Sequence, residues 1–244
     1  MTFNKEVDLG HLSSKRMMAK TADDVLDILR SLANPENVAG MKRYGINPEN
    51  TLGISIPNLR SLAKEIGKDH SLAQDLWASG IHEARILAAF IDDPKQVTEA
   101  QMEQWAADFD SWDVCDQVCG NLFDRTPYAY QKAVDWSSRE AEFVKRAGFA
   151  LMAWLPVHDK KARDEQFEPF FPAIIAQSTD GRNFVRKSVN WALRNIGKRN
   201  RSLNQRAIAT AQEVARIDSK TAHWIANDAL KELTSLAIQS RLKN

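Results

Sequence analysis

The sequence predicts an all-α chain of paired helices stacked as repeats, and three observations carry that reading. Alternation of apolar and polar residues is nowhere sustained and the β-branched residues are scattered, so no segment reads as a strand. Apolar residues recur instead at helical spacing. The helical segments, about a dozen, follow one another at intervals of about 20 residues, so a pair occupies about 40.

Taken in order, Val25, Ile28, Leu29 and Leu32 form the first apolar stripe. Leu59, Leu62, Ala63 and Ile66 form the second, opened by Pro57 in a first-turn position where its missing N–H costs nothing. Ala222, Ile225, Ala226, Ala229 and Leu233 form another near the end. Thr98 with Gln101 and Ser202 with Gln205 have the spacing of helix N-terminal caps. A pair of about 40 residues matches a HEAT-type repeat in length. The best internal echo sets Arg146-Ala147 and Ala150-Leu151 against Arg186-Lys187 and Ala192-Leu193. Residues 1–20 are polar and mixed in charge and read as a loosely attached arm bearing Lys15, Arg16 and Lys20. Residues 21–244 read as a single helical-repeat domain.

The apolar runs, of which Ile86 to Ile91 is typical, are far too short to span a bilayer, and residues 1–20 lack the apolar stretch of a secretory signal. A cytoplasmic monomer is the expectation. The two cysteines, Cys115 and Cys119, stand four apart on one helix, where a disulfide would strain the backbone. They read as reduced core side chains, and a lone pair of thiols is too few ligands for zinc. No metal and no cofactor are expected.

A net charge of +1 argues against a nucleic-acid partner only on average. From 182 to 206 the cations Arg182, Arg186, Lys187, Arg194, Lys198, Arg199, Arg201 and Arg206 occur with no acid among them. From 92 to 124 nine carboxylates face one cation, Lys95. The charge is polarised along the chain.

Three helices carry the candidate chemistry. On the first, Ser111 to Phe123, the buried stripe is Cys115, Val118, Cys119, Leu122 and Phe123. Trp112 and Asp116, one turn apart, stack at the edge of that stripe, while Asp113 and Gln117 point further out. Asp116 is placed either as a partly desolvated, reachable carboxylate or as a hydrogen-bond partner of a neighbouring helix. On the second, Asn183 to Gly197, the core stripe is Val185, Val189, Ala192, Leu193 and Ile196, and Trp191 lies roughly 130° from its centre. An indole beside Lys187 and Arg194 suits contact with a sugar or base between phosphates. It equally suits packing against the next repeat under Lys and Arg stems. On the third, Ala141 to Trp154, Phe143, Ala147, Leu151 and Trp154 form the core stripe. Arg146 at its edge reaches either a phosphate or an acid of the 92–124 region.

Trp112-Asp113-Val114-Cys115-Asp116 resembles the Trp-Asp-x-x-Asp signature of the bacterial alkylpurine DNA glycosylases built from HEAT-like repeats. Phe143-Val144-Lys145-Arg146-Ala147 resembles that family's arginine-bearing helix, and Lys187 to Arg194 its second-tryptophan helix. Upstream, Met41-Lys42-Arg43-Tyr44, Gly53 to Pro57 and Leu59-Arg60 are similar to its N-terminal pattern. The resemblance implies a HEAT-like solenoid with a concave DNA-binding face. It implies Asp116 as catalytic carboxylate, Trp112 and Trp191 flanking the deoxyribose, and Arg146 on a phosphate. Lys187, Arg194, Arg182, Tyr44 and Ser55 would complete the DNA contacts. Family members remove cationic N3- and N7-alkylated purines from duplex DNA without flipping the base. The competing expectations are a non-catalytic relative that binds damaged or distorted DNA, and a HEAT-type protein scaffold.

Overall fold

A computed structural model describes residues 21–242, so the expected arm at 1–20 lies outside the described residues. All of the regular structure there is helical: fourteen α-helices and two short 3-10 turns, with no strand among the described residues. Where the sequence reads as one repeat domain from residue 21, the helices cluster into two compact units that divide between Gln96 and Val97.

The first unit holds α1 (Ala22–Ser31), α2 (Pro35–Lys42), α3 (Ile56–Ile66), α4 (His70–Ala78) and α5 (His82–Ile91). The expected stripe of α1 is buried at Val25, Ile28 and Leu29, with Leu32 becoming the C-cap. Helix α5 packs against α1, α3 and α4. Its Glu83 is fully buried and accepts the backbone N–H groups of Leu52, Gly53 and Ile54 at 2.8, 2.6 and 3.2 Å. A buried carboxylate needs such donors, and these three fix the turn that launches α3. Gly53 sits at φ +78°, where a β-carbon would lie 2.2 Å from the Asn34 carbonyl oxygen, so only glycine fits.

The second unit holds α6 (Glu99–Ala107), α7 (Trp112–Asn121), α8 (Ala129–Ser137), α9 (Glu142–His158), α10 (Phe170–Gln177), α11 (Asn183–Gly197), α12 (Arg201–Val214), α13 (Lys220–Leu233) and the short α14 (Leu236–Gln239). Helices α7, α9, α11 and α13 pack side by side in that order, and α8, α10 and α12 lie behind them. The stripes of α11 and α13 are buried residue for residue as expected. Gly148 lets α9 press directly on α8, since a β-carbon there would come within 2.5 Å of the Ser137 backbone nitrogen. Two sequence expectations shift. The cap of α12 is Asn200, whose side chain accepts from Leu203 N, two residues before the expected Ser202. The repeat register is set by Phe143 and Phe184, each the second residue of its helix, whose rings meet at 5.6 Å. Phe143-Val144-Lys145-Arg146 therefore corresponds to Phe184-Val185-Arg186-Lys187, one residue off the echo noted in the sequence.

Cys115 and Cys119 are free and buried, as expected, their thiols directed at the carbonyls of Phe143 and Ala147. Among the described residues no cluster of metal-ligating side chains occurs, and no helix is long and apolar enough to cross a membrane.

Candidate functional site

Three of the sequence-predicted residues meet in the second unit. Helix α7 presents Trp112, Asp116 and Gly120 one turn apart, and α9 presents Arg146, Ala150, Trp154 and His158 at the same spacing. The two stripes face each other. Arg146 Nε donates to Asp116 Oδ1 at 2.9 Å and Nη2 to Oδ2 at 2.7 Å, a two-pronged ion pair. Arg146 Nη1 donates to the Phe184 carbonyl at 2.7 Å, which ties α11 into the same knot. The guanidinium also stands 5.8 Å from the Trp112 ring centre.

Of the two alternatives open to Arg146, a phosphate or an acid of the 92–124 region, the acid is the one in contact here. The Arg146 side chain is only 7% exposed and committed to protein acceptors; the Asp116 side chain retains 15% exposure. Burial opposes charge on both partners. On Asp116 burial dominates and holds the carboxyl above its ordinary value against the pull of Arg146. On Arg146 burial is outweighed by Asp116, which raises the guanidinium. The guanidinium keeps its proton at any accessible pH, and both of its prongs donate to the Asp116 oxygens in the geometry of an ion pair.

Trp191 is half-buried and meets Trp154 edge to face, ring centres 5.3 Å apart. Trp154, expected in the core, is only half-buried, and its ring approaches Gly120 closely: a β-carbon there would sit 2.5 Å from the indole. Glycine in mid-helix is a recognisable signal of such a close approach. The Trp154 ring also stacks on His158 at 4.7 Å and 21°. His158 Nδ1 is hydrogen-bonded to Asp124, whose side chain is wholly buried in the 3-10 turn Phe123–Arg125 after α7. Sequence reasoning passed over Asp124 and His158. Their signal was the i+4 series Arg146, Ala150, Trp154, His158 opposite Trp112, Asp116, Gly120.

The basic run of α11 is not a bare cationic surface. Arg194 binds Asp228 at 2.7 Å and Glu232 at 2.8 Å, and Lys198 binds Glu232 at 3.1 Å, both acids being on α13. Arg182 binds Asp180 and donates to the Glu140 carbonyl at 2.7 Å. Its hydrogen bonds hold the Asp180 carboxyl down at about 2. Arg199 donates to the carbonyls of Pro156, Asp159 and Ala162, ending α9. Arg186 stacks on Trp224 at 5.1 Å. Lys187 is exposed and has no side-chain partner among the described residues. The other two expected DNA contacts belong to the first unit. Tyr44 is 75% exposed, and Ser55 is exposed as the N-cap of α3 without a side-chain capping bond.

The chain is 21% identical over 201 residues to an uncharacterised protein of Listeria innocua, an alignment covering 81% of this chain and 88% of that one. Its fold is similar to that of a solved protein described as one of a new family related to the HEAT-like repeat DNA glycosylases with affinity for branched DNA structures. That likeness has a TM-score of 0.69 at 20% identity, over 87% of this chain and 95% of the other. It identifies the arrangement of α7 to α13 as a HEAT-like repeat array. The sequence profile of the family described as DNA alkylation repair enzyme matches residues 25–233, nearly the whole of both units, and this chain belongs to that family.

Proposed function

We propose that this chain is a DNA glycosylase that hydrolyses the N-glycosidic bond of N3- or N7-alkylated purines in duplex DNA, with the base left in the stack. The observation that carries the reading is the carboxylate of Asp116, pinned by Arg146 at a partly open position beside Trp112. An alkylated purine already carries positive charge and leaves without a general acid. The charge that develops is on the sugar, and a fixed carboxylate stabilises an oxocarbenium-like centre with no reorganisation at the moment of reaction. Arg146 occupies one lone pair on each Asp116 oxygen, and a second on each is available for the sugar or an attacking water. Arg146 is thus a positioning residue. Trp112 and Trp191 offer indole faces to the same cationic sugar, about 0.5–2 kcal/mol each.

Lys187 is the cation placed to meet a backbone phosphate directly. Arg194 and Arg182 would do so only by exchanging Asp228, Glu232 and Asp180 for phosphate. Tyr44 and Ser55 would contribute from the first unit. The chemistry requires no metal and no cofactor, because the leaving group brings its own charge.

A time course of 7-methylguanine and 3-methyladenine release from methylated duplex DNA tests the proposal. Release that exceeds spontaneous depurination and vanishes in Asp116→Ala supports it. Release at the spontaneous rate discards it.

One observation favours a second reading, a non-catalytic binder of branched or distorted DNA. Arg146 neutralises Asp116, and a neutralised buried pair serves as a purely structural staple equally well. A four-way junction bound more tightly than a duplex of equal length, with no base release, is the outcome that selects this reading.

A further inference from the structure

The His158–Asp124 pair lies outside the chemistry assigned above, yet it is joined to it by an unbroken chain of contacts. Asp124 carries a wholly buried carboxylate, and His158 is its side-chain partner. The His158 ring is not free to turn: Nδ1 is held by Asp124 and one face is covered by Trp154 at 4.7 Å. Trp154 also lies against the backbone at Gly120, where no side chain intervenes. The edge contact at 5.3 Å then passes the position of Trp154 to Trp191. Trp154 is short of polar anchors of its own, since its Nε1 is buried without a hydrogen-bond partner among the described residues. What orients it is the stacked imidazole together with the close approach to the glycine. A histidine placed only to fill space needs no buried carboxylate, and Trp154 meets the half-buried Trp191 edge to face, a directional contact.

We propose that Asp124, His158 and Trp154 form a positioning relay that sets the orientation of Trp191. In the glycosylase reading, on which this last step rests, the relay presents the Trp191 face to the sugar of the departing purine. None of the three touches the reacting atoms in this scheme. Their effect runs through Trp191, and that gives the scheme a test that a general role in stability does not meet.

The experiment uses the full chain labelled with 5-fluorotryptophan, its Trp154 and Trp191 fluorine resonances assigned by Trp154→Phe and Trp191→Phe. His158→Leu is expected to shift or broaden both resonances while the lines of the deeply buried Trp105 and Trp136 stay in place. Should His158→Leu fail to fold, Gly120→Ala perturbs Trp154 from α7 and leaves the Asp124 pair intact. A Trp191 line unmoved in the folded variants overturns the proposal, whatever the activity.

Single-turnover excision then tests the consequence. Trp154→Ala is expected to slow base release about ten-fold with DNA affinity changed less than about two-fold. Trp154→Phe should recover most of the rate. The double variant Trp154→Ala/Trp191→Ala should be no slower than Trp191→Ala alone, and multiplied effects overturn the relay. Resonances that move in the variants, with no base released by the wild type, keep the relay and discard the glycosylase reading, so the two fail separately.

Discussion

Asp116→Asn separates what the Asp116–Arg146 pair does for the fold from what it does for chemistry. The sequence alone suggests a shape-preserving change with folding intact. The geometry requires otherwise. Asparagine retains one acceptor for Arg146 but turns its amide N–H₂ toward a second guanidinium donor, so one of the bonds at 2.9 and 2.7 Å is lost. The guanidinium, 7% exposed, is then left without a counter-charge, holding its bond to the Phe184 carbonyl and the one that asparagine can still accept. Removing one partner of a buried pair costs about 3–5 kcal/mol, and the surviving bonds place this case near the lower end. For a unit of this size, that is a fall in melting temperature of about 6–12 °C. The double variant Asp116→Leu/Arg146→Met removes both charges at similar volume and should recover most of the loss. Thermal melting by circular dichroism gives the stabilities, and single-turnover release of 7-methylguanine, corrected for the folded fraction, gives the chemistry. Excision per folded molecule should fall at least about 100-fold in Asp116→Asn. An unchanged melting temperature in Asp116→Asn would refute the assignment of the pair as a buried, energetically committed contact. Wild-type excision per folded molecule would refute the catalytic role of Asp116.

The same geometry fixes four further outcomes. Gly120→Ala gains about 1 kcal/mol in helix propensity, so any net loss in thermal stability reports the clash with Trp154 at 2.5 Å, expected at about 1–3 kcal/mol by the cost of overpacking. Glu83→Gln sets an amide donor against backbone N–H groups that the carboxylate now satisfies and should cost about 2–3 kcal/mol in urea denaturation. Asp180 has a folded value of about 2, below its ordinary 3.8, so its stabilising contribution is present above pH near 4 and is lost as pH falls toward 2. The difference in urea midpoint between wild type and Asp180→Asn should accordingly shrink across that window, and a constant difference would contradict it. Lys187→Ala should flatten the dependence of log affinity for duplex DNA on log salt by about one unit, measured by fluorescence anisotropy.

How much of this was legible in the sequence depended on whether the physics was local. Helix α11 was bounded correctly at both ends and its buried stripe read without error, because a strong apolar periodicity needs no knowledge of neighbours. The reduced state of Cys115 and Cys119 followed from their spacing. Arg146 could be placed at a stripe edge, but whether a carboxylate or a phosphate would claim it depended on which helix lay alongside. The acid in contact is Asp116, on a helix that Arg146's own periodicity does not reveal. The periodicity that reads α11 places Trp154 in the core, yet the ring is only partly buried, and its close approach to Gly120 on another helix is not visible in that periodicity. The cation run from 182 to 206 misleads for a related reason: Asp180 stands just before it in a local turn, and Asp228, Glu232 and Glu168 are brought in by packing.

Those acids have a thermodynamic consequence for any polyanion that meets α11. A bare arginine draws small ions from solution, and a nucleic-acid phosphate that replaces them liberates salt, a gain in entropy that dilution enlarges. Arg194 and Lys198 instead hold Asp228 and Glu232, counterions that are part of the chain and cannot diffuse away. A phosphate arriving there exchanges one tethered anion for another and frees almost nothing. Affinity for undamaged duplex gained through this face would then be low and nearly indifferent to ionic strength, in contrast to the ordinary behaviour of a basic groove. On the proposed DNA-binding reading, such a protein would spend little time trapped on intact DNA, and discrimination would fall to positions without a resident anion, Lys187 first among them.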